Sequence, residues 1–153
     1  MKLSDILEEE NIIPDLKARD KKRAIEELTD AIVKNNPSLE KHSLVRVLLE
    51  RESLGSTAIG DGVAIPHGKY RGISMPIISF GRSRKGLDFE SMDGQPVFIF
   101  FLLVAPEDSA SIHLKALARI AKLLKDSNFR KLLIEATTRK ELYKIIIRND
   151  EEF

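Results

Sequence analysis

Between residues 17 and 33 the apolar side chains Ala24, Ile25, Leu28, Ala31 and Ile32 recur at helical spacing with charges between them. That spacing predicts an amphipathic helix burying one face and ending before Asn35-Asn36-Pro37. Leu44, Val45, Leu48 and Leu49 form a second stripe, so a helix is expected over residues 41–52, with Gly55 as its stop signal and Arg51 in its last turn. The texture then changes. All eight glycines lie between Gly55 and Gly94, and short β-branched runs occupy residues 58–59, 63–65 and 73–80, which predicts short strands joined by tight turns. Residues 97–105 are apolar at every position between Pro96 and Pro106, the pattern of a strand covered on both faces. Helices must therefore pack on each side of it.

Beyond Pro106, Leu114, Leu117, Ala118, Ala121 and Leu124 share one face of a helix that begins near residues 109–111, and residues 129–135 add a short one. Thr138-Arg139-Lys140-Glu141 spells a capping box that opens a last helix through Ile147. Residues 149–153 are expected to form a loose, flexible tail. Helices, a block of strands, then helices, with no internal repeat or linker, predict one α/β domain over residues 1–153, its core at about 3–147. The expected architecture is a small mixed β-sheet flanked by helices on both faces.

Composition narrows the function. A chain of 153 residues suits one domain that buries about 68–70% of its unfolded surface, and its 42% hydrophobic content argues against disorder. Twenty-five Lys and Arg against 24 Asp and Glu leave a net charge of +1, so the whole molecule is not drawn to nucleic acid or membranes. The absence of Cys excludes disulfides, thiolate catalysis and Cys-ligated zinc. The first ten residues carry four acids and no apolar run, so no signal peptide is expected, and the location expected is cytoplasmic. The longest apolar run, nine residues, falls far short of the ~20 of a membrane helix, so no membrane insertion is expected.

Spacing removes most catalytic inventories. There is no H-E-x-x-H, no pair of His at i,i+4 and no G-x-S-x-G. Gly55 to Gly62 invites comparison with a phosphate-binding loop, but Asp61 stands where such a loop needs Lys, and its carboxylate repels phosphate. These glycines are read as turns. Of three histidines, His42 sits at the polar start of a helix and reads as a solvated surface residue. His67 follows the strand-like Val63-Ala64-Ile65 and the stiff Pro66, and Gly68 leaves one flank of its ring bare. His113 falls in the first turn of the third helix, where the positive end of the helix dipole favours a neutral imidazole and attracts an anion. By themselves, both histidines read better as structural, one satisfying a loop carbonyl and the other neighbouring a cap.

The run Gly55-Ser56-Thr57-Ala58-Ile59-Gly60-Asp61-Gly62-Val63-Ala64-Ile65-Pro66-His67-Gly68-Lys69 resembles the active-site signature of the fructose/mannitol-type (type 2) enzyme IIA domains of the bacterial phosphoenolpyruvate-dependent phosphotransferase system. Arg51, sixteen residues before His67, and His113 in Ile112-His113-Leu114 also match positions where that family carries functional residues. The likeness runs from about residue 3 to 147. It implies an α/β sandwich and a phosphohistidine carrier: His67 accepts a phosphoryl group on Nε2 from HPr or a nitrogen-type HPr homologue, and His113 and Arg51 stabilise it. No cofactor is expected. Such chemistry suits the residues, because a neutral imidazole is nucleophilic without an adjacent base, and a guanidinium offers the transferring oxygens a forked pair of donors. Ile65 and Ile112, with Gly68 beside the histidine, are expected to form an apolar rim that excludes water and docks the partner.

The Gly-Ser-Thr-Ala-Ile-Gly form of the motif and Gly94-Gln95-Pro96-Val97 before the core strand look most like the nitrogen-type, regulatory branch. The rival reading is a fructose- or mannitol-specific enzyme IIA that passes phosphate to a Cys of a separate enzyme IIB, since this chain has none. A third keeps the fold as a non-catalytic protein-binding module. One feature stands outside the motif: residues 69–87 carry Lys69, Arg71, Arg82, Arg84 and Lys85 and no acid. Tyr70 and Phe80 are its only aromatic residues, so nucleic acid is not the expected partner, and a solvated hairpin with a basic tip is expected.

Overall fold

The computed structural model describes residues 1–151. After a 3-10 turn at Leu3–Asp5, the elements are β1 (Leu7–Ile13), α1 (Lys21–Asn35), α2 (Lys41–Ser53), β2 (Ala58–Gly60), β3 (Val63–Ala64), β4 (His67–Tyr70), β5 (Ile77–Leu87), β6 (Val97–Pro106), α3 (Ala110–Lys125), α4 (Ser127–Glu135) and α5 (Arg139–Glu151). One mixed sheet runs β1-β5-β6-β3-β2, with β4 also paired to β6. Helices cover both faces, as the sequence predicts. Along β6, Ile99, Phe101 and Leu103 pack with Ile120 and Leu123 of α3, Phe129 of α4 and Leu142 of α5, while Phe100, Leu102 and Val104 pack with Ile25 and Leu28 of α1 and Leu44 and Leu48 of α2. Period-two alternation in a strand buried on both sides thus divides the interior into two layers.

Several caps form as predicted. Ser109 caps α3, and Thr138 Oγ1 accepts from the Glu141 amide at 3.1 Å to open α5. The Asp61-Gly62 turn between β2 and β3 has φ of 58° and 73°, the left-handed pair that a tight hairpin between twisted strands demands.

Four expectations change. Helix α1 starts at Lys21, capped by Asp20; residues 17–20 are a loop whose Lys17 and Ala18 amides donate to Glu27. Strand β1 was not foreseen because Glu8-Glu9-Glu10 breaks any alternation; an irregular register against β5 buries Leu7 and Ile12 and leaves the acids to protect a sheet edge. Strands β4 and β5 are not a hairpin, since both pair with β6 on opposite sides of it. The expected loose tail is α5 through Glu151, and residues 152–153 lie outside the described part.

Helix α5 holds because Asp150 is buried. Its Oδ2 accepts from the Leu3 amide at 2.7 Å, and its Oδ1 accepts from Arg119 Nε, joining the two ends of the chain. Asp150→Ala would leave a buried N–H and a guanidinium without that acceptor, so a loss of about 2 kcal/mol in urea unfolding is expected. An unchanged midpoint would show that the clamp contributes nothing.

Candidate functional site

Strands β3 and β4 run along β6 in a single register: Val63 opposes Ile99 and His67 opposes Leu103, with the same offset. Pro66, which has no N–H, sits in the gap between them. Its carbonyl still accepts from Leu103 N at 2.9 Å, while Ile65 N turns away to Thr57 O at 3.2 Å. Residues opposed across a parallel pair share a face, so His67 lies on the face of Leu103, toward α3, and Gly68 lies on the face of Val104, toward α2.

On the α3 face the two candidate histidines meet. Their ring centroids are 5.3 Å apart at an interplanar angle of 86°. His67 Nδ1 lies 2.8 Å from Ile65 O. A carbonyl only accepts, so Nδ1 carries the proton and Nε2 keeps a free lone pair. His113, 9% exposed, has an Nδ1 with no hydrogen-bond partner among the described residues. Arg51, in the last turn of α2, donates from Nη1 to Gly55 O at 2.8 Å. Its charge acts on His67.

Burial is the main cause that lowers the His67 pKa from the usual 6.5; the Ile65 carbonyl opposes it, Arg51 adds to it and Glu52 opposes it. His113 is lowered for the same first reason, followed by the charges of His67 and Lys69. Both rings are therefore neutral at pH 7. The arrangement provides one uncharged nitrogen nucleophile beside a second imidazole and a guanidinium. Among the described residues no group of three His, Cys, Asp or Glu side chains is placed to hold a metal ion.

The expected apolar rim is different from the observed one. Ile65 is 6% exposed and belongs to the core. Gly68 is buried beneath α2, where a Cβ would stand 2.9 Å from Val47 Cγ1, so its smallness serves close helix–strand packing and not a partner. Ile112 is half-buried. The apolar groups exposed near these residues in the chain are Leu54, after Arg51, and Leu114, after His113.

Sequence reasoning missed what lies behind Arg51. Glu52 is 5% exposed, and its carboxylate accepts from the Thr57 amide and hydroxyl and pairs with Lys21 Nζ at 2.8 Å. Lys21 also stands 4.9 Å over the Phe89 ring. The network ties the 54–57 loop to α1 and α2. A signal existed, because Glu52 continues the buried Leu44, Leu48 stripe at i+4 with a charge.

The α/β sandwich thus carries a half-buried imidazole with a flanking histidine and the charge of an arginine acting on it. Comparison with known proteins agrees at the level of family. The family model "Phosphoenolpyruvate-dependent sugar phosphotransferase system, EIIA 2" matches residues 5–149. A nitrogen regulatory protein of Bradyrhizobium diazoefficiens is 44% identical over 146 residues, 95% of each chain. The fructose-specific EIIABC component of Bacillus subtilis is 36% identical over 151 residues, 99% of this chain but 24% of that one. The crystal structure of nitrogen regulatory protein IIA-Ntr from Neisseria meningitidis superposes with a TM-score of 0.87 at 33% identity, covering 94% of this chain and 98% of that chain. The protein belongs to the type 2 enzyme IIA family of the phosphotransferase system, a family of phosphocarrier proteins. No helix among the described residues is long and apolar enough to cross a membrane.

Proton NMR of the imidazole carbons checks the electrostatics. His67 and His113 should both titrate below the ordinary 6.5. Because folding lowers both pKa values, the fold loses stability as pH drops below 6.5 toward the folded-state values, and gains nothing further above 6.5. A midpoint above 6.5 for either ring contradicts this reading.

Proposed function

We propose that the protein is a phosphohistidine carrier whose His67 accepts a phosphoryl group on Nε2 from an HPr-type donor, with a regulatory output of the nitrogen-system kind. The observation that carries this reading is the Nδ1 hydrogen bond to Ile65 O, which leaves Nε2 as the free nucleophile beside His113 and Arg51. The Nε2–phosphorus bond forms as the donor's nitrogen–phosphorus bond breaks. No proton leaves His67, since Nε2 bears none. The ring becomes more positive as it takes the phosphoryl group, and the Ile65 carbonyl stabilises that charge through Nδ1–H. Arg51 and His113 face the charge spread over the equatorial oxygens. Burial of the rings favours the neutral, nucleophilic state and shields the product from water.

The 44% identity to a nitrogen regulatory protein over nearly the full length of both supports the regulatory output. The 36% identity to the B. subtilis fructose-specific component supports the second reading, in which the phosphate goes to a separate enzyme IIB. Either way the domain acts in the cytoplasm and hands its signal or phosphate to another protein. Ile112 and Leu114, beside His113, form part of the docking surface.

The test is incubation with enzyme I, HPr and labelled phosphoenolpyruvate. Acid-labile label should appear on the protein and vanish in His67→Ala. Arg51→Lys and His113→Ala should slow labelling on the order of tenfold to a hundredfold while circular dichroism stays native. Label that persists in His67→Ala would overturn the site, and unchanged rates in the other two would remove their roles. Onward transfer to a fructose-type enzyme IIB would favour the second reading over the first.

A further inference from the structure

We infer that a second, separate site at the other side of the sheet binds an organic phosphate of nucleotide size. It is a cleft of about 520 Å³ between the β1–α1 loop and the end of β5. Strand β6 divides it from His67, because β1 and β5 lie on one side of β6 and β3 and β4 on the other. Its volume falls in the range of small-molecule sites.

The lining selects an anion. Lys17, Arg19, Arg84 and Lys85 face the cleft with a single acid, Asp15. Asp15 Oδ1 is already engaged by Arg84 Nε at 2.5 Å. Among the described residues, Lys17, Arg19 and Lys85 have no carboxylate partner within ion-pair distance. Lys17 and Arg19 also border a neighbouring groove along α1, but there Asp20, Glu26, Glu27 and Asp30 balance the four cations Lys17, Arg19, Arg23 and Lys41, so the β5 side alone is basic.

A buried charge reinforces the field. The Arg82 side chain is 1% exposed and donates to Pro14 O, Leu133 O and Ala136 O. Its Nη2 has no hydrogen-bond acceptor, with Asp15 Oδ1 3.9 Å away. Only two buried side-chain atoms among the described residues lack a partner, and the other is His113 Nδ1 in the phosphoryl site. One carboxylate thus stands against five cations, two of them forked guanidinium groups at the cleft surface that suit phosphate oxygens. Leu16 and the backbone at Gly86 give an uncharged surface for the remainder of the ligand. Two or more negative charges on a body of nucleotide size match this arrangement better than a lone small anion does.

The experiment titrates the full chain with ADP, and separately with inorganic phosphate, followed by amide NMR at physiological salt. With ADP, saturable shifts should centre on residues 15–19 and 83–87, and phosphate should bind at least about tenfold more weakly. The Arg84→Gln/Lys85→Gln variant, with an otherwise native spectrum and unchanged His67 labelling, should weaken ADP at least about tenfold, which is about 1.4 kcal/mol. Lys17→Gln/Arg19→Gln provides an independent second test in the same direction. The inference is overturned by no saturation at millimolar ADP, by shifts centred on Arg51, His67 and His113 with unchanged affinity in the variants, or by phosphate binding as tightly as ADP. Binding of an acidic peptide in place of ADP would also overturn it.

Discussion

The parallel ladder that β3 and β4 make with β6 is the constraint on which the site depends. Strand β6 is buried on both faces, so any residue opposed to it is sorted to one layer or the other with no freedom to slip. One step of register would exchange His67 and Gly68. The histidine would then press into α2, where even a methyl group meets Val47 at 2.9 Å, and nothing would face His113. Pro66 marks the point where the ladder can be broken without leaving an amide unpaired, and Ile65 O is thereby left to accept from the His67 ring. Fold and site are the same set of hydrogen bonds.

Competing effects on His67 are decided by burial. A cationic neighbour, Arg51, and an anionic one, Glu52, act in opposite directions, and the carbonyl bond favours protonation. Desolvation exceeds them and keeps the ring neutral. Glu52 is tied up by Lys21 and Thr57, which spends its charge on the loop and leaves the imidazole to its burial. A free carboxylate at that place would pull the ring toward its charged form and remove the lone pair.

The layers, the core strand and all five helices were readable because each has a strong period or cap: the unbroken apolar run 97–105, the Leu114 to Leu124 stripe, the Thr138–Glu141 box. His67 and His113 could be paired only through the family likeness, since 46 residues and two strands separate them in the chain. Strand β1 escaped because edge strands tolerate charge, and three consecutive Glu residues obscure the pattern. The role expected for Gly68 failed because sequence neighbours in a strand point to opposite faces; adjacency to His67 placed it in the other layer. Glu52 was legible in principle, as a charge on a buried stripe, yet its partners Lys21 and Thr57 come from two other elements.

Four of the five basic residues between 69 and 85 divide among three separate physical roles, which a net charge near zero conceals. Lys69, on the face of His67, adds its charge to the field at His113 and helps keep that ring neutral. Arg82 lies inside, where its guanidinium meets Asp15 at 3.9 Å and donates to carbonyls that close the end of α4 onto the loop after β1. Arg84 and Lys85 emerge at the cleft on the far side of β6, where Asp15 is shared by two guanidinium groups and so cannot neutralise both. The loop that forms the other wall of this cleft leads within two residues of Arg19 to Lys21, and Lys21 reaches Glu52, the residue after Arg51.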